Sequence, residues 1–368
     1  MEQVNILIIG AGVIGLSIAK ELSEKYEDIV VVEKEKSFGR HTSSRNSEVL
    51  HSGIYYPQNS LKAKLCIEGL ELIYNYVEEH GIPYNKCGKL IVATAEKEIE
   101  DLYKLMDNGI RNGVRNLSII DKKKCVEMEP QIDCLKALKV ESTGILDTHK
   151  FMASLETEIE KNDGIVVYDM EVNSIIKEND SYIVSFTDGE KFQAKTLINS
   201  AGLYSDKIAE MVGIDIMQNN LELHWCKGEY YKNNHIKNIN HLIYPLPDPS
   251  GVFLGIHLTI NLNGEVRFGP NAYYINEFDY KMDDRHKTEF YTAIKRYMNV
   301  DEDNLHLDDC GIRPKLQQEG GSFRDFYIKE ESENGFPNFI NLIGIESPGL
   351  TSCLAIANYV NQLFIKTQ

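Results

Sequence analysis

The sequence predicts an α/β protein. A parallel, doubly wound sheet is assembled from non-contiguous stretches of chain and interrupted by an α+β domain with an antiparallel sheet. Three observations carry this expectation. The chain opens on strand, glycine-rich turn, helix and strand; short alternating strands with turn signals begin near Asn219; and after Cys310 a buried strand and a closing helix return. At 368 residues the chain has the length of two domains. A 42% hydrophobic and 26% charged composition excludes disorder, collagen and coiled coil. The 39 basic residues against 56 acidic ones give a net charge of −17, which argues against nucleic acid or an anionic membrane as partner.

Val4–Ile9 is an apolar run broken only by Asn5, the pattern of a strand buried on both faces. Leu16–Lys25 reads as a helix with Leu16, Ala19 and Leu22 inward, and Ile29–Val32 as a second buried strand ending at Glu33. Ser60 is the expected N-cap of an amphipathic helix running to Glu79. A strand at Lys89–Thr94 and a solvated helix at Lys97–Arg111 follow. Gly144–Glu158 leads into a helix. Strands are expected at Ile165–Tyr168, Val172–Lys177, Tyr182–Phe186 and Lys195–Asn199, the middle two forming a hairpin. The second texture holds strands at His241–Tyr244, Val252–Thr259 and Glu265–Phe268. Phe339–Ile343 and the helix Leu350–Phe364 close the chain.

Gly10-Ala11-Gly12-Val13-Ile14-Gly15 is a Rossmann-like fingerprint in its proper context. Gly10 permits the turn, Gly12 lets backbone approach a pyrophosphate, and Gly15 allows the helix to pack on the strand. Glu33, followed by Lys34, stands about twenty residues on, where a carboxylate accepts from ribose hydroxyls. The motif alone does not separate FAD from NAD. The segment His41-Thr42-Ser43-Ser44-Arg45-Asn46-Ser47, continued by Val49 to Tyr56, is too rich in functional groups for a plain connection. Ser43, Ser44 and Arg45 suit pyrophosphate or flavin oxygens. His51, taken alone, reads equally as structural or catalytic.

If Val252–Thr259 alternates, Phe253, Gly255 and His257 share the face opposite Leu254, Ile256 and Leu258, which puts His257 toward a cavity. Tyr56, Lys227, Tyr230 and Tyr231 are candidates to border it. Arg313, between Gly311 and Pro314, suits bidentate capture of a carboxylate, and Lys315 a second one, with surface ion pairs as the plainer reading. Ser347-Pro348-Gly349 opens the last helix, whose free N–H groups favour negative charge. No His, Cys or Asp spacing suggests a metal site. The cysteines at 66, 87, 125, 134, 226, 310 and 353 are odd in number and form no CxxC pair, which fits a reducing compartment. Met1-Glu2-Gln3 lacks the positive leader of a signal peptide, and no stretch approaches the ~20 apolar residues of a membrane span. The expected location is cytoplasmic, with peripheral attachment to the inner face of the membrane left open.

The segment from His41 to Cys66 closely resembles the L-2-hydroxyglutarate oxidase/dehydrogenase branch of the FAD-dependent D-amino-acid-oxidase-like superfamily. The resemblance continues at Asn199–Asp206, Gly255–Thr259, Phe268–Ala272, Gly311–Lys315 and Gly344-Ile345-Glu346-Ser347-Pro348-Gly349-Leu350-Thr351. It departs at Glu48, where many relatives carry glycine. It implies an FAD-binding domain over 1–80, 146–218 and 311–368, and a substrate domain over 81–145 and 219–310. It also implies cofactor contacts from Val172, Ala201, Gly202, Gly311, Arg313, Gly344 and the 347–351 segment. The implied reaction is oxidation of a small 2-hydroxy acid, L-2-hydroxyglutarate to 2-oxoglutarate, by hydride transfer to flavin, with His51 or His257 as base and Arg313 on the carboxylate. Oxygen or a quinone would take the electrons. Glycerol 3-phosphate or an amino acid is the alternative substrate on the same fold, and a non-catalytic flavin module is the alternative of another class. A second Rossmann-like fingerprint is missing, which disfavours a nicotinamide-only enzyme.

Overall fold

The first strand, Glu2–Ile9, carries apolar side chains on both faces because it lies inside a parallel stack. In the computed structural model, which describes residues 1–246 and 255–367, its neighbours are Lys191–Asn199 on one side and Ile29–Val32 on the other. Ile165–Val167 extends the sheet beyond Ile29–Val32, and Phe336–Ile343 pairs with the C-terminal half of Lys191–Asn199. All of these pairings are parallel. The hairpin Val172–Glu178 and Ser181–Phe186 adds antiparallel strands to the N-terminal half of Lys191–Asn199, and Tyr327–Glu331 pairs antiparallel with Phe336–Ile343.

One face of this sheet is covered by the helices Val13–Ser23, Leu61–Glu79, Thr148–Lys161 and Gly349–Thr367, which close a core around Ile6, Ile8, Leu16 and Phe151. Leu16 is fully buried there, so truncation to Ala would cost about 2–5 kcal/mol. The helix Leu61–Glu79 crosses the closing helix at Gly69, where an added Cβ would stand 2.3 Å from the Thr351 carbonyl oxygen. Ser60 caps it as expected, its hydroxyl accepting from Ala63 N–H. The other sheet face packs on Ser205–Val212.

The second sheet runs Tyr273–Tyr274, His224–Asn233, Val266–Phe268, Leu258–Ile260, Leu242–Pro245, Lys89–Ala93, Lys136–Val140, Leu117–Asp121, with His306–Lys315 also paired to His224–Asn233. It is antiparallel except where Leu242–Pro245 runs parallel to Lys89–Ala93. Three differences from expectation stand out. The long strands His224–Asn233 and His306–Lys315 were not anticipated. The anticipated division at 310/311 falls inside the second of them, whose pairing continues to Lys315 opposite His224. Of the anticipated strand Val252–Thr259, Gly255, Ile256 and His257 are irregular chain and Leu258 and Thr259 are strand, while Val252, Phe253 and Leu254 lie outside the described residues. A small sheet of Val49–Leu50, Gly144–Leu146 and Tyr84–Asn85 sits where the chain passes between the two large ones.

Candidate active site

A cavity of about 540 Å³ runs from the end of the first strand to the junction with the second sheet. Its inner end is built by the glycine turn. Gly10 has φ +103°, and a Cβ there would lie 2.7 Å from the Ser200 carbonyl oxygen. At Gly15 an added Cβ would stand 1.9 Å from the Gly10 carbonyl oxygen, so only glycine allows the close helix–strand contact the spacing implied. Gly12, Val13 and Ile14 line the cavity at the start of the first helix, where N–H groups have no intrahelical acceptor. Ser43 Oγ accepts from Val13 N–H at 3.0 Å. Glu33 Oε2 accepts from Ala11 N–H at 2.8 Å and Oε1 from Glu35 N–H at 3.0 Å, fixing its carboxylate at the cavity wall with lone pairs to spare. Lys34 sits beside it, its ammonium 3.7 Å from the Tyr204 ring centroid. Val172, Ala201 and Gly202 complete this end. A narrow glycine cradle, helix-start donors and a terminal carboxylate fit a dinucleotide.

Between the two sheets the 41–52 segment is fixed by its own polar groups. Thr42 donates to the Ile312 carbonyl, and Asn46 donates to the Thr42 and Ser43 carbonyls while accepting from Glu48 N–H. Glu48 has φ +57°, the conformation glycine adopts freely, so the departure from glycine keeps the turn at a strain cost. Its carboxylate points away from the cavity toward Thr148 N–H, and burial raises its pKa. Thr42, Ser43, Arg45, Asn46 and Ser47 line the cavity, but the Arg45 guanidinium is committed to Asp309 at 2.6 Å and to the Tyr280 ring. Ser44 does not reach the wall.

At the outer end His51, His257, Tyr56, Tyr230, Arg313 and Lys315 face one space. His51 is tied through its backbone, its N–H donating to Thr351 Oγ1 at 2.9 Å, while its Nδ1 has no partner among the described residues. His257 Nδ1 lies 3.0 Å from the Gly255 carbonyl; a carbonyl only accepts, so Nδ1 carries the hydrogen and Nε2 keeps its lone pair. Its ring stacks on Tyr244 at 3.8 Å. Burial lowers both histidines, His51 to about 3 with help from the Lys89 charge, so both are neutral at pH 7. Among the described residues Arg313 has no carboxylate within ion-pair distance; its guanidinium donates to Cys226 Sγ at 3.9 Å. Burial works to lower its pKa, and Cys226, Tyr230 and Glu346 outweigh that. Ser347, Pro348, Gly349 and Leu350 bring the start of the closing helix to the wall, with Tyr56 Oη 3.4 Å from Ser347 Oγ.

Not every anticipated residue joins this surface. Lys227 is turned the other way, donating to the Lys281 carbonyl with Glu229 at 3.8 Å. Gly344, at φ +72°, packs on Leu316, and Thr351 acts through His51 rather than at the wall. Gly311 lines the cavity, where a Cβ would strike the Arg45 carbonyl at 2.1 Å. His257 reaches the cavity, but from irregular chain before Leu258 rather than from an alternating strand. Two buried lysines escaped the sequence reading. Lys62 lines the cavity beside Glu346, and Lys89 lies just behind it, fully buried. The Lys89 ammonium stands 4.6 Å from the Tyr55 ring and 4.5 Å from the Tyr244 ring with no hydrogen-bond partner among the described residues, and burial lowers its pKa to about 7. For Lys62 a signal existed: it shares a helix face with Cys66 and Gly69. For Lys89 the sequence offers none.

A parallel-sheet dinucleotide cradle that opens onto a cavity walled by neutral imidazoles and by a guanidinium with no acidic partner among the described residues fits a dinucleotide-dependent oxidoreductase. The family model described as FAD dependent oxidoreductase (DAO) matches residues 5–363, and the chain belongs to that family. The L-2-hydroxyglutarate dehydrogenase, mitochondrial, of Arabidopsis thaliana is 38% identical over 99% of this chain and 84% of that protein. Its counterpart of the same name in Mus musculus is 32% identical over 96% of this chain and 86% of that protein. Among solved structures, the dithionite-reduced L-alpha-glycerophosphate oxidase from Mycoplasma pneumoniae with FAD bound superposes at a TM-score of 0.89 with 27% identity, covering 99% of this chain and 95% of that one. The protein is an FAD enzyme with the fold expected from its sequence. No helix among the described residues is long and apolar enough to cross a membrane.

Proposed function

We propose that the protein oxidises L-2-hydroxyglutarate to 2-oxoglutarate. The observation that carries this reading is the meeting of the Arg313 guanidinium, which has no acidic partner among the described residues, with two neutral imidazoles on one cavity wall, in a chain whose relatives bear that substrate in their names. FAD, cradled by Gly10–Ile14, Glu33 and Ser43 and met by the 347–350 segment, would supply the acceptor for the hydride equivalent leaving the carbinol carbon.

Arg313 binds the carboxylate next to the carbinol as a fork, fixing the orientation of the reacting carbon. His51 takes the hydroxyl proton. In the empty cavity a pKa of about 3 makes protonation at pH 7 costly, by about 5 kcal/mol. Two substrate carboxylates oppose the Lys89 charge and bring the imidazole back toward the working pH, so the base is switched on by the molecule it acts upon. His257 Nε2 can accept from the same hydroxyl and orient it. Burial of the His257 ring keeps water from competing for that lone pair.

Anaerobic bleaching of the flavin absorbance by L-2-hydroxyglutarate, with the D-enantiomer and glycerol 3-phosphate alongside, tests the reading. Bleaching by the L-acid alone is expected. Bleaching by glycerol 3-phosphate instead would move the substrate and keep the enzyme class. The electrons then pass to oxygen or a quinone, in a cytoplasmic setting; oxygen consumption compared with reduction of a soluble quinone distinguishes the acceptors.

A further inference from the structure

Beside Arg313 the cavity wall carries a second cationic point with an uncommon arrangement. Lys62 Nζ and Lys315 Nζ both lie on the same oxygen of Glu346, Oε1, at 2.9 and 3.2 Å. All three side chains are buried and all three line the cavity. Burial alone would push the Glu346 carboxyl up, but the two ammonium groups outweigh it and bring it down to about 2, so the cluster holds two cations and one anion. Each ammonium has three hydrogens to donate, and the Glu346 oxygen takes one from each. The neighbours of Lys62 on its other side are the rings of Phe323 and Phe326, at 5.4 and 5.3 Å, which accept no ordinary hydrogen bond. Asp325, the nearest acid in sequence to those rings, spends its carboxylate on the N–H groups of Leu61 and Lys62 at the helix start.

A purely structural ion cluster buried at this depth would balance its charge, because each unpaired ion costs several kcal/mol of lost solvation. This one does not. With Arg313 included, two positive charges are left over among the described residues, in two places on the wall. Arg313 and Lys315 are two residues apart on one strand, so they share a face with their Cα atoms about 7 Å apart, and the terminal carboxyl carbons of an extended five-carbon diacid are roughly 5 Å apart.

We propose that Lys62 and Lys315, spread and held by Glu346, form the subsite for the distal carboxylate of the substrate, so that Lys62 sets the preference for a dicarboxylate over a monocarboxylate. This rests on the reading of the protein as a 2-hydroxy-dicarboxylic acid oxidoreductase. Glu346 is then a positioning residue: it keeps two mobile lysine side chains in register and tunes their joint charge to a single negative partner.

The test compares FAD-loaded wild type with Lys62→Met and Lys62→Arg. Two ligand pairs are used: L-2-hydroxyglutarate with L-2-hydroxybutyrate, which lacks only the distal carboxylate, and the inert acids glutarate and butyrate, followed by perturbation of the flavin spectrum. Lys62→Met is expected to weaken binding of L-2-hydroxyglutarate and glutarate about 10- to 100-fold, as fits loss of a charge-assisted contact. The limiting rate of flavin reduction should move less than threefold and monocarboxylate binding less than twofold. Lys62→Arg should recover most of the dicarboxylate affinity. Equal weakening of both ligand classes, a fall confined to the limiting rate, or a wild type that binds glutarate no better than butyrate would overturn the subsite. If glutarate binding depends on Lys62 while L-2-hydroxyglutarate fails to bleach the flavin, the subsite stands and the substrate reading falls.

Discussion

Replacing Lys89 by methionine should make the protein more stable, and more so at neutral pH than in alkali. Lys89 is fully buried on its strand, its ammonium lying between two tyrosine rings with no hydrogen-bond acceptor among the described residues. Burial brings its pKa from 10.5 to about 7. The sign follows from proton counting. Between pH 7 and 10.5 the unfolded chain carries the proton and the native protein largely does not, so unfolding takes up protons and wild-type stability rises with pH across that window. At pH 7 the lysine therefore costs folding about 4 kcal/mol, and at pH 9 about 2 kcal/mol. Methionine keeps the unbranched stem against the tyrosines and removes the charge. The assay is urea unfolding of wild type and Lys89→Met at pH 7 and pH 9, at one saturating FAD concentration so that cofactor linkage cancels. The expected gain is several kcal/mol at pH 7, shrinking by about half at pH 9. A variant no more stable than wild type at pH 7, or with the same gain at both pH values, would refute the account. The same substitution removes the positive charge that helps hold the His51 pKa down, so the gain in stability should come with an altered pH profile of flavin reduction.

His51→Ala should slow flavin reduction by about two orders of magnitude while the flavin stays bound, and unchanged reduction kinetics would remove His51 from the mechanism. Both buried histidines sit below their ordinary pKa, so as pH falls through 6.5 the unfolded chain gains protons that the native protein refuses. Stability should therefore drop between pH 6.5 and about 3 with a slope of up to about 1.4 kcal/mol per pH unit for each histidine; His51→Asn should flatten it, and acid titrations that coincide would contradict the burial. Gly10→Ala meets both a positive φ and a carbonyl oxygen 2.7 Å from the new Cβ, so the purified variant should carry little FAD and melt early; full cofactor content with an unchanged melt would show that the turn relaxes.

The dinucleotide half was legible because each of its signals is local. The apolar run to Ile9, the glycine spacing and the acid at 33 follow one another along the chain, and the strand at Ile29–Val32 appears with the boundaries its hydrophobicity gives. The second sheet was harder to read for a physical reason. His224–Asn233 is buried on both faces with Lys227 and Glu229 inside, so it shows no alternation, and its charged residues suggest a loop. The outer end of the site suffers in the same way. Arg313 and Lys315 announce themselves next to Gly311 and Pro314, but Lys62 looks like one of several lysines on a helix start. Only its proximity to Glu346, 284 positions away, gives it meaning. Lys227 shows the converse error: its neighbourhood in sequence is right, and its side chain points to Lys281.

The interleaving of the two large sheets also bears on how the protein is made. Lys191–Asn199 pairs with Glu2–Ile9 on one edge, yet its other edge waits for Phe336–Ile343, and His51 waits for the hydroxyl of Thr351. A nascent chain emerges from its N-terminus and domains fold as units. The glycine turn thus leaves the ribosome before the helix Gly349–Thr367, and closes into a complete cofactor pocket only when that helix follows. Until then the apolar strand edge and the helix face that will meet Gly349–Thr367 stay uncovered. The helix Gly349–Thr367 thereby acts as a checkpoint, and a chain terminated just before it would be a client for chaperones rather than a slow enzyme.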